Sequence, residues 1–163
     1  MASWSSLILS HYAPNKIEGA PRVSARGAHG KPRGFWVSVD GEDDWLAWCL
    51  TEDWGIPNLT HRHLVTLHDD ANILHLQTEE EVFAFGARNG AREFEYGLDW
   101  TDTMERFDGI IIAPYQWGCR MHNFSCWYYG WDCASGCIWN ASAIKGVALD
   151  PEWRVPRKTN TAA

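Results

Sequence analysis

Positive charge and long apolar runs are both scarce in this chain of 163 residues. No apolar stretch approaches the roughly 20 residues that a membrane-spanning helix needs. Acidic side chains outnumber basic ones, 21 against 14, which gives a formal net charge of −7. That balance argues against tight non-specific binding to nucleic acid, which depends on neutralising phosphates. The local exception is a basic cluster at Arg22, Arg26, Lys31 and Arg33.

The first residues, MASWSSLILSHYAP, lack the basic segment and the long apolar run of a secretory signal. We therefore expect a cytoplasmic protein in which the five cysteines are reduced thiols. The sequence also lacks internal repeats and low-complexity segments, and its length is typical of one domain. We expect this domain to span residues 1–150 and to be followed by a polar tail at residues 151–163.

Short apolar segments separated by turn residues predict a protein of many short strands. The expected strands are residues 6–12, 34–39, 61–67, 72–77, 110–112, 137–139 and 143–149. Because these strands do not alternate regularly with helices, the sequence predicts an α+β fold. We expect a split, mostly antiparallel β-sheet with two or three short helices.

Two helix starts are marked by acidic residues and caps. Residues 42–44 are acidic and precede an apolar helical stripe, so Asp40 or Gly41 is expected to cap this helix. Thr78 and Glu81 have the spacing of a capping box for a second helix. Complementarity with the helix dipole explains these carboxylates, and we assign them no catalysis.

Eleven tryptophans are present, and the aromatic residues are densest in an uncharged loop after the apolar run at residues 110–112. Trp127, Tyr128, Tyr129 and Trp131 fall within five residues of one another. A loop so rich in rings is expected to pack against a flat partner. That partner could be the protein's own core, a nucleobase or a sugar.

Cysteine and histidine residues within the same segment give a possible zinc site. Cys119, His122, Cys126, Cys133 and Cys137 have the spacing C-x2-H-x3-C-x6-C-x3-C, with only one of the two-residue gaps that zinc sites favour. Small buried thiols are the favoured interpretation, and we expect no metal. The alternative is a structural zinc that orders the aromatic loop of a small nucleotide- or sugar-binding protein.

A candidate binding site begins at the end of the first strand, with His11 and Tyr12, and continues on the strand GFWVS. A histidine at a strand end can bind a ribose hydroxyl or an amide. Trp36 and Ser38 lie two residues apart and therefore share a strand face. The ring can stack on a planar heterocycle whose amide the hydroxyl can bind. The same residues also fit a strand-end histidine beside core aromatics.

The segments SHY, GFWVS before a Trp-rich helix, FDGIII and GCIWNASAI resemble the ADP-ribosyltransferase family. The similarity is greatest to the branch that uses a histidine, an aromatic residue and an acid, as poly(ADP-ribose) polymerases and diphtheria-like toxins do. It covers nearly the whole chain. The resemblance implies NAD as cofactor and transfer of ADP-ribose to a macromolecular acceptor, protein or nucleic acid, with release of nicotinamide. It would suit a bacterial or phage-encoded modifier.

The resemblance also assigns roles to individual residues. His11, beside Tyr12, would hold the adenine-side ribose and the nicotinamide amide. Trp36 stands at the first stacking position with Gly34 before it, and Ser38 falls near the amide-contacting positions. These five residues are the core of the expected NAD site.

The remaining roles are less sharply defined by sequence. Trp45 or Trp48 would supply the second ring. The family's glutamate is missing, since Ser135 or Gly136 falls at its position. Asp132 is the nearest carboxylate and the candidate catalytic acid. Arg120 could pair with a phosphate of the dinucleotide or form a surface salt bridge.

The alternative is a catalytically silent binding module, such as a phage-type inhibitor. It would mimic nucleic acid with its acidic surface or clamp a host protein with its aromatic loop, and the missing glutamate favours it. The two hypotheses differ in geometry, because the enzyme needs Asp132 and Trp36 to face the same cleft as His11. A remote carboxylate such as Glu95 or Asp99 could otherwise take the acid's role.

Overall fold

A computed structural model of the protein describes residues 4–24 and 30–156. In these two ranges the chain forms seven strands and four α-helices. The strands are β1 Leu9–Ala13, β2 Phe35–Val39, β3 His61–Leu67, β4 Ile73–Leu76, β5 Gly109–Ile112, β6 Ser135–Ile138 and β7 Ile144–Leu149. The helices are α1 Trp45–Glu52, α2 Glu79–Arg88, α3 Thr101–Arg106 and α4 Trp117–Arg120, and the longest 3-10 segment is Asn123–Gly130.

All seven strands belong to one sheet, in the order β4-β5-β6-β2-β1-β3-β7. Only the β4–β5 pair is parallel, and the other five pairings in the described residues are antiparallel. The α+β class and the mostly antiparallel sheet are therefore confirmed. The sheet is continuous where a split one was expected, because β2 pairs with β1 on one side and with β6 on the other.

Helix α1 begins later than the acidic run indicated. Its cap is Asp44, whose carboxylate accepts the backbone N–H of Ala47 at 2.8 Å. The expected cap at Asp40 or Gly41 is wrong because residues 40–43 form a turn before the helix.

Helix α2 has the capping box that the sequence predicted. The Thr78 hydroxyl accepts the N–H of Glu81, and the Glu81 carboxylate accepts the N–H of Thr78. Local side-chain chemistry was enough to place this start, because both partners lie within one helical turn.

The aromatic loop packs against the protein's own core. Trp127, Tyr128 and Trp131 are at most 2 % exposed, and only Tyr129 of the four rings faces solvent. The Tyr115 hydroxyl donates to the carbonyl of Trp131 at 2.5 Å, and the Tyr128 hydroxyl accepts the N–H of Gln116 at 3.0 Å. The sequence left open whether these rings contact the core, a nucleobase or a sugar. Three of the four rings contact the core.

The five cysteines are all free thiols, and the possible zinc ligands do not come together. Among residues 4–24 and 30–156, no three side chains of His, Cys, Asp or Glu are grouped as a metal site would require. Burial raises the pKa of the Cys119 and Cys133 thiols to about 12. These two cysteines therefore stay protonated at neutral pH and pack as small apolar groups.

The start of the expected polar tail is attached to the domain. The indole N–H of Trp153 donates to the carbonyl of Leu59 at 2.8 Å, and its ring lies edge-on to Tyr12 with centroids 5.4 Å apart. Residues 157–163 of the expected tail lie outside the described residues. No helix in the part of the chain that the structure describes has the length and apolar character needed to cross a membrane.

Gly34 provides a test of the packing between β2 and β6. A Cβ at this position would lie 2.5 Å from Cys137 Sγ and 2.7 Å from the carbonyl oxygen of Ile138. We expect Gly34→Ala to lower the free energy of unfolding in urea by about 1–3 kcal/mol, because the added methyl overpacks the core. Gly146→Ala is the matched control, since a Cβ there meets nothing within 4 Å. Equal stability of the two variants would contradict this packing role.

Candidate ligand-binding site

A cavity of about 420 Å³ opens between β1, β2 and the segment that leads into β6. Its volume is in the range of small-molecule sites. The lining residues come from five parts of the chain, namely Ser10, His11 and Tyr12, then Ser24 and Lys31, then Trp36, Val37 and Ser38, then Trp45, and finally Asp132, Cys133 and Ser135.

Six of the residues that the sequence selected for the NAD site line this one cavity, and they are His11, Tyr12, Trp36, Ser38, Trp45 and Asp132. They reach it from separate segments because β2 is bonded to both β1 and β6. Asp132, Trp36 and His11 thus line one cavity, while the His11 ring itself is stacked on Phe35, whose side chain alternates with that of Trp36 along β2.

His11 is held as a neutral imidazole. Its Nδ1 lies 2.7 Å from the carbonyl oxygen of Trp36, so Nδ1 carries the proton that this bond needs and Nε2 is the acceptor atom of the ring. The ring stacks on Phe35 with centroids 4.3 Å apart. Burial lowers the pKa of His11, and neighbouring His63 acts in the same direction.

Behind His11, the second histidine is fully buried. His63 Nε2 accepts the backbone N–H of Ile17 at 3.0 Å, and its Nδ1 lies 3.3 Å from the carbonyl oxygen of His11. Both nitrogens are therefore used in fixing β1, β3 and the loop after β1. His63 supports the position of His11 and does not line the cavity.

Trp36 and Ser38 present a ring and a hydroxyl to the cavity. The Trp36 ring packs edge-on against Trp131 with centroids 5.0 Å apart, and Lys31 Nζ lies 5.1 Å from the Trp36 centroid. Ser38 Oγ accepts the backbone N–H of Trp45 at 2.9 Å. A hydroxyl that accepts this bond keeps its own hydrogen for a second partner, such as a ligand carbonyl.

Asp132 lies on a short irregular segment that is fixed at both ends. The N–H of Trp131 donates to the carbonyl of Tyr128 at 2.8 Å, and the N–H of Ala134 donates to the carbonyl of Asp43 at 2.8 Å. The backbone that carries the carboxylate is therefore fixed on both sides of Asp132.

The charges of Asp132 and Lys31 are both partly desolvated. Burial raises the pKa of Asp132, while Lys31 and Arg120 act in the opposite direction. Burial lowers the pKa of Lys31, and Asp132 opposes that shift. Perturbed ionisable groups that share a cavity are a frequent property of functional sites.

Lys31 is the site residue that sequence reasoning missed. It was noted only as a member of the basic cluster, of which Arg26 lies outside the described residues. Its closeness to the GFWVS strand was the available signal, but nothing in the sequence shows that its ammonium group lies over Trp36.

Of the two tryptophans that could supply a second ring, Trp45 lines the cavity and Trp48 is not among its lining residues. The two rings are stacked, with centroids 5.0 Å apart and planes 11° apart. Trp54 packs edge-on against both, at 5.7 Å and 5.6 Å. Trp48 therefore supports Trp45 from behind, and its expected contact with the cofactor would be indirect.

Arg120 and Gly34 also lie outside the cavity lining. The Arg120 guanidinium lies 5.9 Å from the Trp117 centroid and 5.8 Å from the Tyr129 centroid. It influences the pKa of Asp132 through its charge. Gly34 serves the close approach of β2 and β6 and gives no side chain to a ligand.

The other candidates for the acid are elsewhere in the fold. Glu95 is exposed and lies 3.9 Å from Arg92. Asp99 accepts the N–H of Thr101 at the start of α3 and lines a different cavity, of about 500 Å³. Asp132 is therefore the one carboxylate in the lining of the 420 Å³ cavity within the described residues.

Comparison with protein-family models, curated proteins and solved structures finds no match to this chain. Any function for the cavity therefore rests on the chemistry of its own residues.

Asp132→Asn tests whether this carboxylate is held at a cost to stability. Because burial raises its pKa, the ionised form is less favourable in the folded than in the unfolded chain, and this penalty applies above the raised pKa. We therefore expect the free energy of unfolding of Asp132→Asn, measured by urea titration at neutral pH, to be equal to or higher than that of wild type.

Asp40→Asn is the matched control, since Asp40 is ion-paired with Arg62. This variant should lose about 1–3 kcal/mol in the same urea titration, as expected when a hydrogen bond to a charged partner is removed. A larger loss for Asp132→Asn than for Asp40→Asn would show that Asp132 stabilises the fold.

Proposed function

We propose that this protein is an NAD-dependent mono-ADP-ribosyltransferase that releases nicotinamide and transfers ADP-ribose to a macromolecular acceptor. One observation carries the proposal. A histidine, a tryptophan and a carboxylate, His11, Trp36 and Asp132, line a single cavity although they come from three separate segments.

The residues of the cavity fit the nicotinamide half of NAD. The nicotinamide ring would lie against Trp36, and the Ser38 hydroxyl would donate to its amide carbonyl. His11 Nε2 would accept a hydrogen bond from a ribose hydroxyl, which requires the neutral ring that burial favours and the tautomer that the bond to Trp36 selects. The loop residues Ser24 and Lys31 line the same cavity, where they would contact the diphosphate.

The reaction breaks the bond between ribose C1′ and the nicotinamide nitrogen, and the bonding electron pair leaves with nicotinamide. Positive charge develops on the ribose, and the Asp132 carboxylate stabilises it. A nucleophilic atom of the acceptor then bonds to C1′, and its proton passes to Asp132. A carboxylate with a raised pKa is a better proton acceptor than an ordinary one.

Lys31 would keep Asp132 ionised for this step. Its positive charge lowers the pKa of Asp132 and so offsets part of the effect of burial. Burial and the charge of Lys31 thus act in opposite directions on the pKa of Asp132, and burial is the larger effect, which gives a carboxylate more basic than one in water.

The expected setting is a cytoplasm, where the five thiols would stay reduced, in a bacterium or a phage-infected cell.

The second candidate function is the binding module without catalysis. It is favoured by Asp132 itself, which is one methylene shorter than the glutamate of the family that the sequence resembles.

Nicotinamide release from NAD by the purified protein is the first test. We expect release by wild type, and a decrease of about 100-fold or more for Asp132→Asn, because charge stabilisation and proton transfer are both lost. Trp36→Ala should weaken NAD binding, measured by calorimetry. Asp69→Asn is the control, since Asp69 lies in the exposed turn between β3 and β4. NAD binding without release would favour the binding module, and the absence of both would overturn the NAD proposal.

The pH dependence of the same reaction tests the role of Lys31. Nicotinamide release should decline as the pH falls through the pKa of Asp132. Lys31→Met removes a charge that lowers this pKa, so the acidic limb of the profile should move to higher pH. Lys31→Arg keeps the charge and should leave the limb closer to that of wild type. An unchanged limb in Lys31→Met would show that the two groups are not coupled.

A further inference from the structure

An exposed group of large apolar side chains lies on α4, the following 3-10 segment and the loop before α3. We call it the aromatic face, and it consists of Phe94, Tyr96, Trp117, Met121, Phe124 and Tyr129. Each of these side chains is between 47 and 77 % exposed. Contiguous apolar surface of this kind commonly marks a site of interaction.

The members of the aromatic face are neighbours in space. The rings of Tyr96 and Tyr129 have centroids 6.3 Å apart. Arg120 joins Tyr129 to Trp117, because its guanidinium lies within 6 Å of both ring centroids, at 5.8 and 5.9 Å. The N–H of Phe94 donates to the carbonyl of Asn123 at 3.2 Å, which places Phe94 beside the segment that carries Phe124.

Phe94 is held in a backbone conformation that bulky residues avoid. Its φ is 64°, in the left-handed region that favours glycine. Its side chain is 67 % exposed, so burial of the ring does not repay this strain. Strained positions of this type are concentrated at functional sites.

The aromatic face adjoins the acidic side of the cavity. Trp117 packs on Tyr115 with centroids 4.8 Å apart, and the Tyr115 hydroxyl donates to the carbonyl of Trp131, the residue before Asp132. The charge of Arg120 also reaches Asp132. The aromatic face is therefore linked to the segment that carries Asp132 through Tyr115 and Arg120.

Carboxylates surround the aromatic face. Asp43 accepts the indole N–H of Trp117 at 3.1 Å, and Glu79 accepts the N–H of Gly118 at 2.9 Å. Glu93 lies 3.4 Å from the amide nitrogen of Asn123, and Glu95 stands between two members of the face in sequence. The face is thus apolar at its centre and acidic at its edge.

We propose that the aromatic face docks the acceptor, and that the acceptor is a protein whose contact surface is apolar at its centre and rich in lysine and arginine around it. This inference rests on the proposed transferase function. Tryptophan, tyrosine, phenylalanine, methionine and arginine are the residues enriched in protein interfaces, and the acidic edge selects a basic partner.

Two other occupants fit the charges less well. A nucleic acid would bring its phosphates against Asp43, Glu79, Glu93 and Glu95, four carboxylates that outnumber Arg120 among the rings and Arg92 beside Glu95. A second copy of this chain would set two acidic edges and two net charges of −7 against each other. A basic protein surface would be attracted by the carboxylates that repel phosphates and a second acidic chain.

A labelled amphipathic peptide of leucine and lysine tests this proposal, because its helix presents an apolar stripe between cationic flanks. Binding is measured by fluorescence anisotropy, beside a leucine–glutamate peptide and a single-stranded oligothymidylate. We expect wild type to bind the lysine peptide at least about tenfold more tightly than either competitor.

The double variant Met121→Ser, Phe124→Ser should bind the lysine peptide about tenfold more weakly than wild type does, since it removes two large contacts without changing charge. Ile8→Ser is the matched control, because Ile8 is equally exposed, at 59 %, but lies outside the face.

The proposal is overturned if wild type does not bind the lysine peptide, if the double variant binds as tightly as Ile8→Ser, or if oligothymidylate binds equally well. Self-association of wild type that the double variant abolishes, measured by sedimentation without peptide, would also overturn it in favour of a second copy. Nicotinamide release by wild type without peptide reports separately on the proposed transferase. A protein that releases nicotinamide but fails the peptide test would keep its enzymatic function and lose only this docking surface.

Discussion

The position of β2 between β1 and β6 is the constraint on which the candidate site depends. Ser38 is paired with Ser10 on one side and with Ser135 on the other, and all three line the cavity. The same pairing lets His11 bond to the backbone of Trp36 across the strands. Because side chains alternate along a strand, a slip of one residue in either pairing would turn these groups to the opposite face of the sheet.

A second constraint is the balance of charge inside the cavity. Asp132 and Lys31 are each disfavoured by burial and each favoured by the other. Removing either charge alone leaves the other without its partner, whereas the pair leaves the cavity polar and available to a ligand. This arrangement adds little to stability, since desolvation opposes the attraction. Two opposite charges that add little to stability, in the lining of one cavity, are easier to explain by chemistry than by folding.

Local signals in the sequence predicted much of the fold and only part of the site. The Thr78–Glu81 capping box and β3 were correct because their determinants lie within a few residues. The predicted cap of α1 was wrong because several adjacent carboxylates could serve as the cap. The conformation of the turn before the helix determines that Asp44 does so. Lys31 was missed for a related reason, since its role depends on contacts with distant strands. The sequence also did not determine what the aromatic loop contacts, because aromatic rings pack well against either a core or a ligand.

Asp132 also bears on the difference between an enzyme and a silent binding module. An aspartate is shorter than the glutamate of the family that the sequence resembles, so the backbone must bring it closer to the reacting carbon. Asp132 lies outside the regular strand, between Trp131 and Ala134, whose backbone N–H groups are both bonded. The backbone of an irregular segment can lie closer to the cavity than that of a strand residue, whose position is fixed by hydrogen bonds to the neighbouring strands. The shorter side chain therefore does not exclude catalysis, provided that the segment that carries it supplies the missing reach.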